Sequence, residues 1–281
     1  MKTYSLKHLL LTGLVMSFPM LSLSMSQASE QALTAMEIMV KVDARDEGDT
    51  SVADSAMVLI DKRGRKRTRQ LKQYSKKYPV GTKYMAIFLT PADLKDTVYI
   101  NYDWDTSERD DDSWLYLPAL QKNKRIAADD RSGSFLGSDF SYADLSGFEL
   151  AWYDYELLSE SEVVNGHDCW LIEYRAKDKY RDKVTASTQD LKTQTWIRKD
   201  NFVQVKSKIW KVRAGRIKYY SASDIEKIDG VWTVKKMQMI TVKNGKKEHA
   251  SILKIHNVNY NSFLSDELFK SENMQRAALI N

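Results

Sequence analysis

The sequence has a single cysteine among its 281 residues, and only four prolines. One cysteine excludes an internal disulfide and any zinc site built from several cysteines. Cys169 stands in a strand-like run between Asp168 and Trp170, where we expect a small buried side chain. Seven tryptophans, fifteen tyrosines and no low-complexity linker indicate instead an ordered, aromatic domain.

Long apolar runs are also scarce, and the main one is N-terminal. Lys2 and Lys7 precede a mostly apolar stretch over residues 9–23, and small residues at Ser26 and Ala28 follow it. This order is typical of a secretory signal cleaved near Ala28. The stretch is too short and too interrupted for a membrane span, which needs about 20 apolar residues. We expect a signal peptide over 1–28 and one soluble periplasmic domain over 29–281; an uncleaved anchor is the alternative.

Motifs for catalysis are missing. The sequence has no G-x-S-x-G elbow, no Walker sequence and no H-E-x-x-H pair, and its four histidines are scattered. His249 and His256 are predicted to lie on one strand, facing opposite sides, so that they cannot bind a metal together. We therefore expect no catalytic residue, no metal and no cofactor, and classify the protein as a non-enzyme.

An acidic run, "DWDTSERDDDSW", occupies residues 103–114. Its carboxylates could suggest calcium, but the run has neither the spacing nor the glycine of a helical calcium loop. We predict a solvated hairpin connection between a strand that ends at Trp104 and one that begins at Trp114.

A basic run covers residues 62–77, with nine Lys or Arg and no acid. Charges this dense mark a solvated hairpin or an electrostatic docking surface. Nucleic acid is not expected as a partner of an exported protein. The sequence leaves two interpretations open: a plain hairpin turning at Gly64, or transient contact with an anionic membrane surface or an acidic protein.

Most of the remaining chain alternates apolar and polar residues with a period of two. Strands are predicted wherever β-branched and aromatic residues alternate, and tight turns at Asn165-Gly166, Asp229-Gly230 and Asn244-Gly245. Helical spacing appears over residues 31–45, with short helical pieces at "PADLKD", within 138–146 and at "SDELFKSENMQRA". We predict a mainly β fold: a curved antiparallel half-open barrel of about ten strands, with an N-terminal helix and short lid helices.

Two blocks of sequence carry a family resemblance. "FLTPADLKDTVYINYDW" and "DDSWLYLPALQKNKRIAADDRSGSFLGSDFSYADL" resemble exported proteins of the outer-membrane lipoprotein-sorting family, which are related in fold to the periplasmic carriers LolA and LolB. The resemblance implies a half-open barrel whose concave side binds acyl chains. It also implies an RND-type membrane exporter as a partner, since this group is often paired with such pumps.

We predict from these patterns a carrier that buries lipid or lipoprotein acyl chains in an apolar concavity and transfers them between envelope components. A non-transporting interaction or regulatory module of an exporter is the alternative. The segment 130–148 mixes small residues with apolar ones, so Phe135, Leu136, Phe140 and Leu145 are expected to form a lid that plugs the concavity; fixed core packing is the other interpretation. The expected pocket wall consists of Trp114, Tyr116, Trp170, Ile172, Tyr174, Trp196, Val203, Val205, Trp232, Val234, Met237 and Met239.

Overall fold

A computed structural model describes the chain over residues 32–106, 108–213 and 215–279. The predicted signal peptide, residues 1–28, lies outside the described residues. Within the described ranges, no helix has both the length and the apolar character needed to cross a membrane.

Thirteen strands form one antiparallel sheet in the order β6-β5-β4-β3-β2-β1-β13-β12-β11-β10-β9-β8-β7. β6 and β7 are its two edges, so the sheet is open. About ten strands were expected in a half-open barrel, and both the count and the closure were wrong. The sequence pattern does not indicate all of these strands, because β2, β6 and β7 are rich in charged residues and lack a distinct apolar face. The strands are Thr50–Asp61, Lys66–Tyr78, Gly81–Thr90, Val98–Trp104, Asp112–Leu117, Lys122–Ile126, Tyr153–Val164, His167–Ala176, Asp190–Arg198, Gln204–Lys211, Arg216–Ile228, Val231–Lys243 and Lys246–Tyr260.

Three α-helices lie beside the sheet in the part of the chain that the structure describes: α1 Ala35–Asp43, α2 Arg181–Thr188 and α3 Met274–Ala278. α1 begins at a capping box, in which the Thr34 side chain accepts from the Glu37 N–H and the Glu37 carboxylate accepts from the Thr34 N–H. The helix is therefore shorter than the predicted range of 31–45. Short 3₁₀ helices lie at Pro118–Leu120, Ala128–Ser132, Phe135–Gly137, Ala143–Leu145, Leu150–Trp152, Asp178–Tyr180, Asp266–Phe269 and Ser271–Asn273.

Two of the short helical predictions need correction. "PADLKD" makes one hydrogen-bonded turn at Pro91, and Asp96 with φ of 65° then returns the chain to the next strand. Within 138–146 only Ala143–Leu145 is helical, as a single 3₁₀ turn. The first segment connects two strands over too few residues for a longer helix. The predicted glycine turns do occur, with positive φ at both residues of all three Asn-Gly or Asp-Gly pairs.

The order of strands forces one long crossing. β1 to β6 run outward to one edge, and the chain next enters the sheet as β7 at the opposite edge before returning strand by strand to β13, which pairs with β1. Residues 127–152, here the crossing segment, connect β6 to β7 and therefore pass over the whole sheet. This is the segment whose mixture of small and apolar residues stood out in the sequence.

The sheet also curls. Lys183 Nζ on α2, between β8 and β9, lies 2.7 Å from Asp110 Oδ1, between β4 and β5. In a flat sheet, β4 and β9 would be eight strand spacings apart, which is roughly 38 Å and far beyond the reach of a lysine. The contact is possible only because the sheet bends, so that the side with β4 and β5 faces the side with β8 and β9.

Strands β3 to β5 are buried on both faces. Phe88, Tyr99 and Leu115 pack towards the crossing segment, whereas Ile87, Ile100 and their neighbours pack towards Phe269 and Met274 of the C-terminal segment. These strands consequently contain runs of consecutive apolar residues, at 84–89, 98–100 and 114–117, which removes the alternation that would identify the inner face from sequence.

We expect Ile172→Ala to lower the free energy of unfolding by about 2–5 kcal/mol, because it empties a site packed against α1. Ile172 is fully buried in a cluster with Ile38 and Met39 of α1. Urea unfolding measures the effect. Val163→Ala is the control, since Val163 is 76% exposed. Equal effects of the two changes would contradict the packing of α1 on β8.

Candidate functional site

The crossing segment is anchored by aromatic packing near its start. The Phe135 ring lies 5.8 Å from that of Phe88, 5.3 Å from that of Tyr99 and 5.5 Å from that of Tyr142, measured between centroids. Phe135 is 2% exposed. Offset and edge-on pairs of this kind add to the burial of the rings, so this part of the segment is well-packed core.

Asp139 fixes the middle of the crossing segment to the middle of the sheet. Its carboxylate accepts from Thr241 Oγ1 at 2.6 Å and from Ser251 Oγ at 2.8 Å, and it lies 2.6 Å from His249 Nδ1. The Asp139 N–H donates in turn to Ser251 Oγ. The partners belong to β12 and β13, the seventh and eighth strands of the sheet's order. A buried carboxylate with three side-chain partners is costly to pull free.

A cavity of about 760 Å³ lies between the curled sheet, α1 and the second half of the crossing segment. Side chains from both sides of the bent sheet and from its centre contribute to one wall. The apolar part of that wall includes Met57, Phe140, Ile209, Met237, Met239, Leu253 and Ile255. The size falls in the range of sites that enclose a small molecule.

Eight of the sixteen residues predicted from sequence line this cavity: Phe140, Leu145, Tyr174, Val203, Trp232, Val234, Met237 and Met239. Strict alternation along β12 would place Trp232 and Val234 on one face and Met237 and Met239 on the other. Asp224, which has φ of 54°, and Lys235 are not paired in the β11–β12 ladder. The residues of β12 on either side of this irregularity line the same cavity.

The other eight lie elsewhere. Trp114 and Tyr116 face the C-terminal segment, and Leu115 between them takes the inner position. The remaining six are packed in clusters: Trp170 and Ile172 with α1, Trp196 and Val205 with Cys169, and Phe135 and Leu136 in the core beneath the crossing segment. Whether any of the sixteen contacts a ligand stays a prediction.

Sequence reasoning missed a group of carboxylates at the cavity wall: Asp43, Asp103, Asp111 and Glu149. Burial, together with the neighbouring carboxylates of Asp111 and Glu149, raises the pKa of Asp103 to about 7. The backbone of Gly147 packs directly against this carboxylate, since a Cβ there would lie 1.9 Å from Asp103 Oδ1. The expected solvated hairpin was thus wrong for Asp103 and Asp111. The described residues contain no group of side chains that could hold a metal ion.

Asp111 is the best-satisfied member of that group. Arg131, 7% exposed, donates through Nη2 to the Asp111 carbonyl at 2.6 Å, and its Nη1 lies 3.4 Å from Asp111 Oδ2. Burial still raises the pKa of Asp111, although the Arg131 charge opposes the rise. The pair ties the start of the crossing segment to β5.

Two lysine–carboxylate pairs border the cavity at its other side. Lys211 pairs with Asp190 and also donates to the Thr188 carbonyl at 2.8 Å. Lys218 Nζ lies 3.4 Å from Asp144 Oδ2 on the crossing segment. Burial disfavours the charge on Asp144, but Lys218 and Lys211 outweigh it and hold the pKa of Asp144 below its usual range. Both lysines and both carboxylates of this region are therefore paired within the protein.

A family model described as "Uncharacterized protein" matches residues 81–276, more than half of the chain. The chain belongs to this family. No curated protein matches it significantly.

Two solved structures resemble the chain at 28% sequence identity, each with a TM-score of 0.76. One is a DUF1329 family protein from Desulfovibrio piger, with 85% of this chain and 97% of that chain covered. The other is a putative outer membrane lipoprotein-sorting protein domain from Vibrio parahaemolyticus, with 86% and 98% covered. A LolA superfamily protein from Nitrosomonas europaea, at 19% identity and a TM-score of 0.60, covers 85% of this chain and 98% of its own and shows the shared fold. The resemblance to lipoprotein-sorting proteins of the LolA type is confirmed.

We expect Asp139→Ala to lower the free energy of unfolding by about 3 kcal/mol, because buried Ser251 and the partly buried Thr241 and His249 lose the carboxylate that they bind. Hydrogen exchange over residues 127–152 should become faster in this variant than in the wild type. Asp129→Ala is the matched control, since Asp129 is exposed on the same segment. Unchanged exchange in Asp139→Ala would contradict the role of Asp139 as the central anchor.

Asp103 gives a prediction for pH. An unfolded aspartate ionises near pH 4, whereas the raised pKa of about 7 keeps folded Asp103 protonated over a wider range. The folded state then binds more protons, so stability falls as pH rises from about 4 to 7 and levels off above that. Asp103→Asn should make the urea-unfolding free energy less dependent on pH in this window. Asp129→Asn, an exposed aspartate that is not among the charges acting on Asp103, should leave the wild-type profile in place; an unaltered profile in Asp103→Asn would refute the assignment.

Proposed function

We propose that the protein is a carrier that buries a hydrophobic or amphiphilic cargo, a lipid or the acyl chains of a lipoprotein, in the cavity beneath the crossing segment. The observation that carries this proposal is the cavity of about 760 Å³, whose wall exposes more apolar than polar surface. The lipoprotein-sorting domain that shares 28% identity with the chain supports the same class of function.

The energetics suit reversible loading. An acyl chain gains about 0.8 kcal/mol for each CH₂ group that it buries, and a Phe or Leu side chain is worth about 1.5–3 kcal/mol. Phe140 and Leu145 belong to the crossing segment and already line the cavity. Displacing them by part of one acyl chain would exchange similar free energies, so neither uptake nor release would be strongly uphill. Phe135 and Asp139 would stay in place as fixed points of the segment.

The proposal includes the compartment and the partners. The chain would be exported, lose residues 1–28 near Ala28 and act in the periplasm as one domain over 29–281. An RND-type exporter would receive or supply the cargo, and the basic segment 62–77 would contact an anionic membrane surface. Transfer by burial needs no catalytic residue, so we propose a non-enzyme.

A cavity-filling variant tests this function. Ala53 on β1 is 6% exposed and lines the cavity, so Ala53→Phe should occupy the space that the cargo needs. We expect at least a tenfold loss of binding of a fluorescent fatty acid, because a bulky ring replaces buried acyl groups worth about 0.8 kcal/mol each.

Ala56→Phe is the control, since Ala56 lies on the same strand but does not line the cavity. Both variants should be folded by thermal unfolding. If the wild type takes up no probe, or if Ala53→Phe binds as well as the wild type, the carrier proposal fails and the non-transporting module becomes the better interpretation.

A further inference from the structure

Three neighbouring hairpin turns lie at the same end of the strands. The turns between β1 and β2, between β12 and β13, and between β10 and β11 involve six strands that are consecutive in the order β2-β1-β13-β12-β11-β10. Their described tips are residues 62–67, 243–247 and 211–213 with 215–216, here called the basic end. Only the first of these was apparent as a basic run in the sequence, because the other two become its neighbours through the fold.

Most cations of the basic end are exposed and have no acidic partner. The acids beside these tips are Asp61, Glu248 and Asp190 in the described residues, and each is paired with a cation, Arg65, Arg216 and Lys211 respectively. In the described parts of the chain, the following exposed residues make no ion pair: Lys62, Arg63, Lys66, Arg67, Arg213, Lys243, Lys246 and Lys247. Eight uncompensated positive charges thus stand together.

The opposite end of the molecule is mixed in charge. Asp229, Asp105 and Glu108 are exposed there, and so are Lys77 and Lys227. An anionic surface would therefore attract the basic end more strongly than the opposite end, and would orient the molecule.

The extent and composition of the basic end favour contact with a lipid surface over contact with a protein. Five strand spacings separate β2 from β10, so the tips extend over roughly 24 Å. Val212 is the one large apolar side chain that the described tips expose, and they expose no aromatic residue. A protein interface usually has a buried apolar or aromatic anchor at its centre, whereas headgroup contact requires only a broad array of cations.

We propose that the protein docks end-on, through the basic end, on a bilayer that contains anionic phospholipid. The tips add Arg213, Lys243, Lys246 and Lys247 to the first part of the basic run. The later part of that run belongs to β2, along the body of the sheet, where Lys72 and Lys76 are partly buried. The docking surface is thus built from three hairpins and is separate from the cavity.

Vesicle co-sedimentation tests the proposal with the full chain. We expect binding to vesicles of phosphatidylcholine with phosphatidylglycerol, none to phosphatidylcholine alone, and loss of binding at about 0.5 M salt. Lys246→Gln with Lys247→Gln should weaken binding about tenfold or more, because each cation near an anionic surface contributes to attraction. Arg63→Gln, Lys66→Gln and Arg67→Gln together should weaken it further.

Lys77→Gln with Lys227→Gln is the matched control, since both lysines are exposed at the opposite ends of β2 and β11. This pair should bind within about twofold of the wild type. The cavity variant Ala53→Phe should also dock normally, which separates failure of docking from failure of the carrier function. Absence of binding to the anionic vesicles, or equal weakening by the control pair, would overturn the proposal and leave an acidic protein as the candidate partner.

Discussion

The central constraint in this fold is the crossing segment. A single sheet of thirteen strands that is entered from both edges requires the chain to pass over one face between β6 and β7. The apolar side chains at the start of that segment pack onto the inner face, and the carboxylate of Asp139 binds three polar side chains of β12 and β13. The segment is therefore both a connection and a cover for the inner face, and the cavity lies beneath its second half.

Sequence periodicity predicted the mainly β architecture, the N-terminal helix and the turns at glycine, because these are local consequences of alternation and backbone conformation. The strand count and the closure of the sheet were wrong. β6, with the sequence KNKRI, and the serine- and glutamate-rich β7 form edges, and an edge strand can be charged without showing an apolar face.

Cavity residues were harder to predict, for physical reasons that differ along the sheet. At β5, burial on both faces made Trp114 and Leu115 equivalent in sequence, and the C-terminal segment decided which one faces outward. At β8, helix α1 covers Ile172, whereas Tyr174 two residues later reaches the cavity. Asp103, Asp139 and Arg131 could not be placed at all, because their environments depend on contacts between segments far apart in the chain.

The charges of the protein fall into two groups with different physical consequences. Inside, Lys211 and Lys218 are matched by carboxylates on β9 and on the crossing segment. Outside, the cations of the basic end have few acids beside them and act at longer range. A carrier of hydrophobic cargo would need both features, since such cargo is exchanged at a membrane surface and protected from water between membranes.

The central claim is that the cavity holds hydrocarbon. The most direct measurement is mass spectrometry of an organic extract from protein purified without detergent. The account predicts lipid or fatty acid in near-stoichiometric amount, released when the protein is unfolded. An extract free of lipid, together with failure to take up added lipid from vesicles, would contradict it.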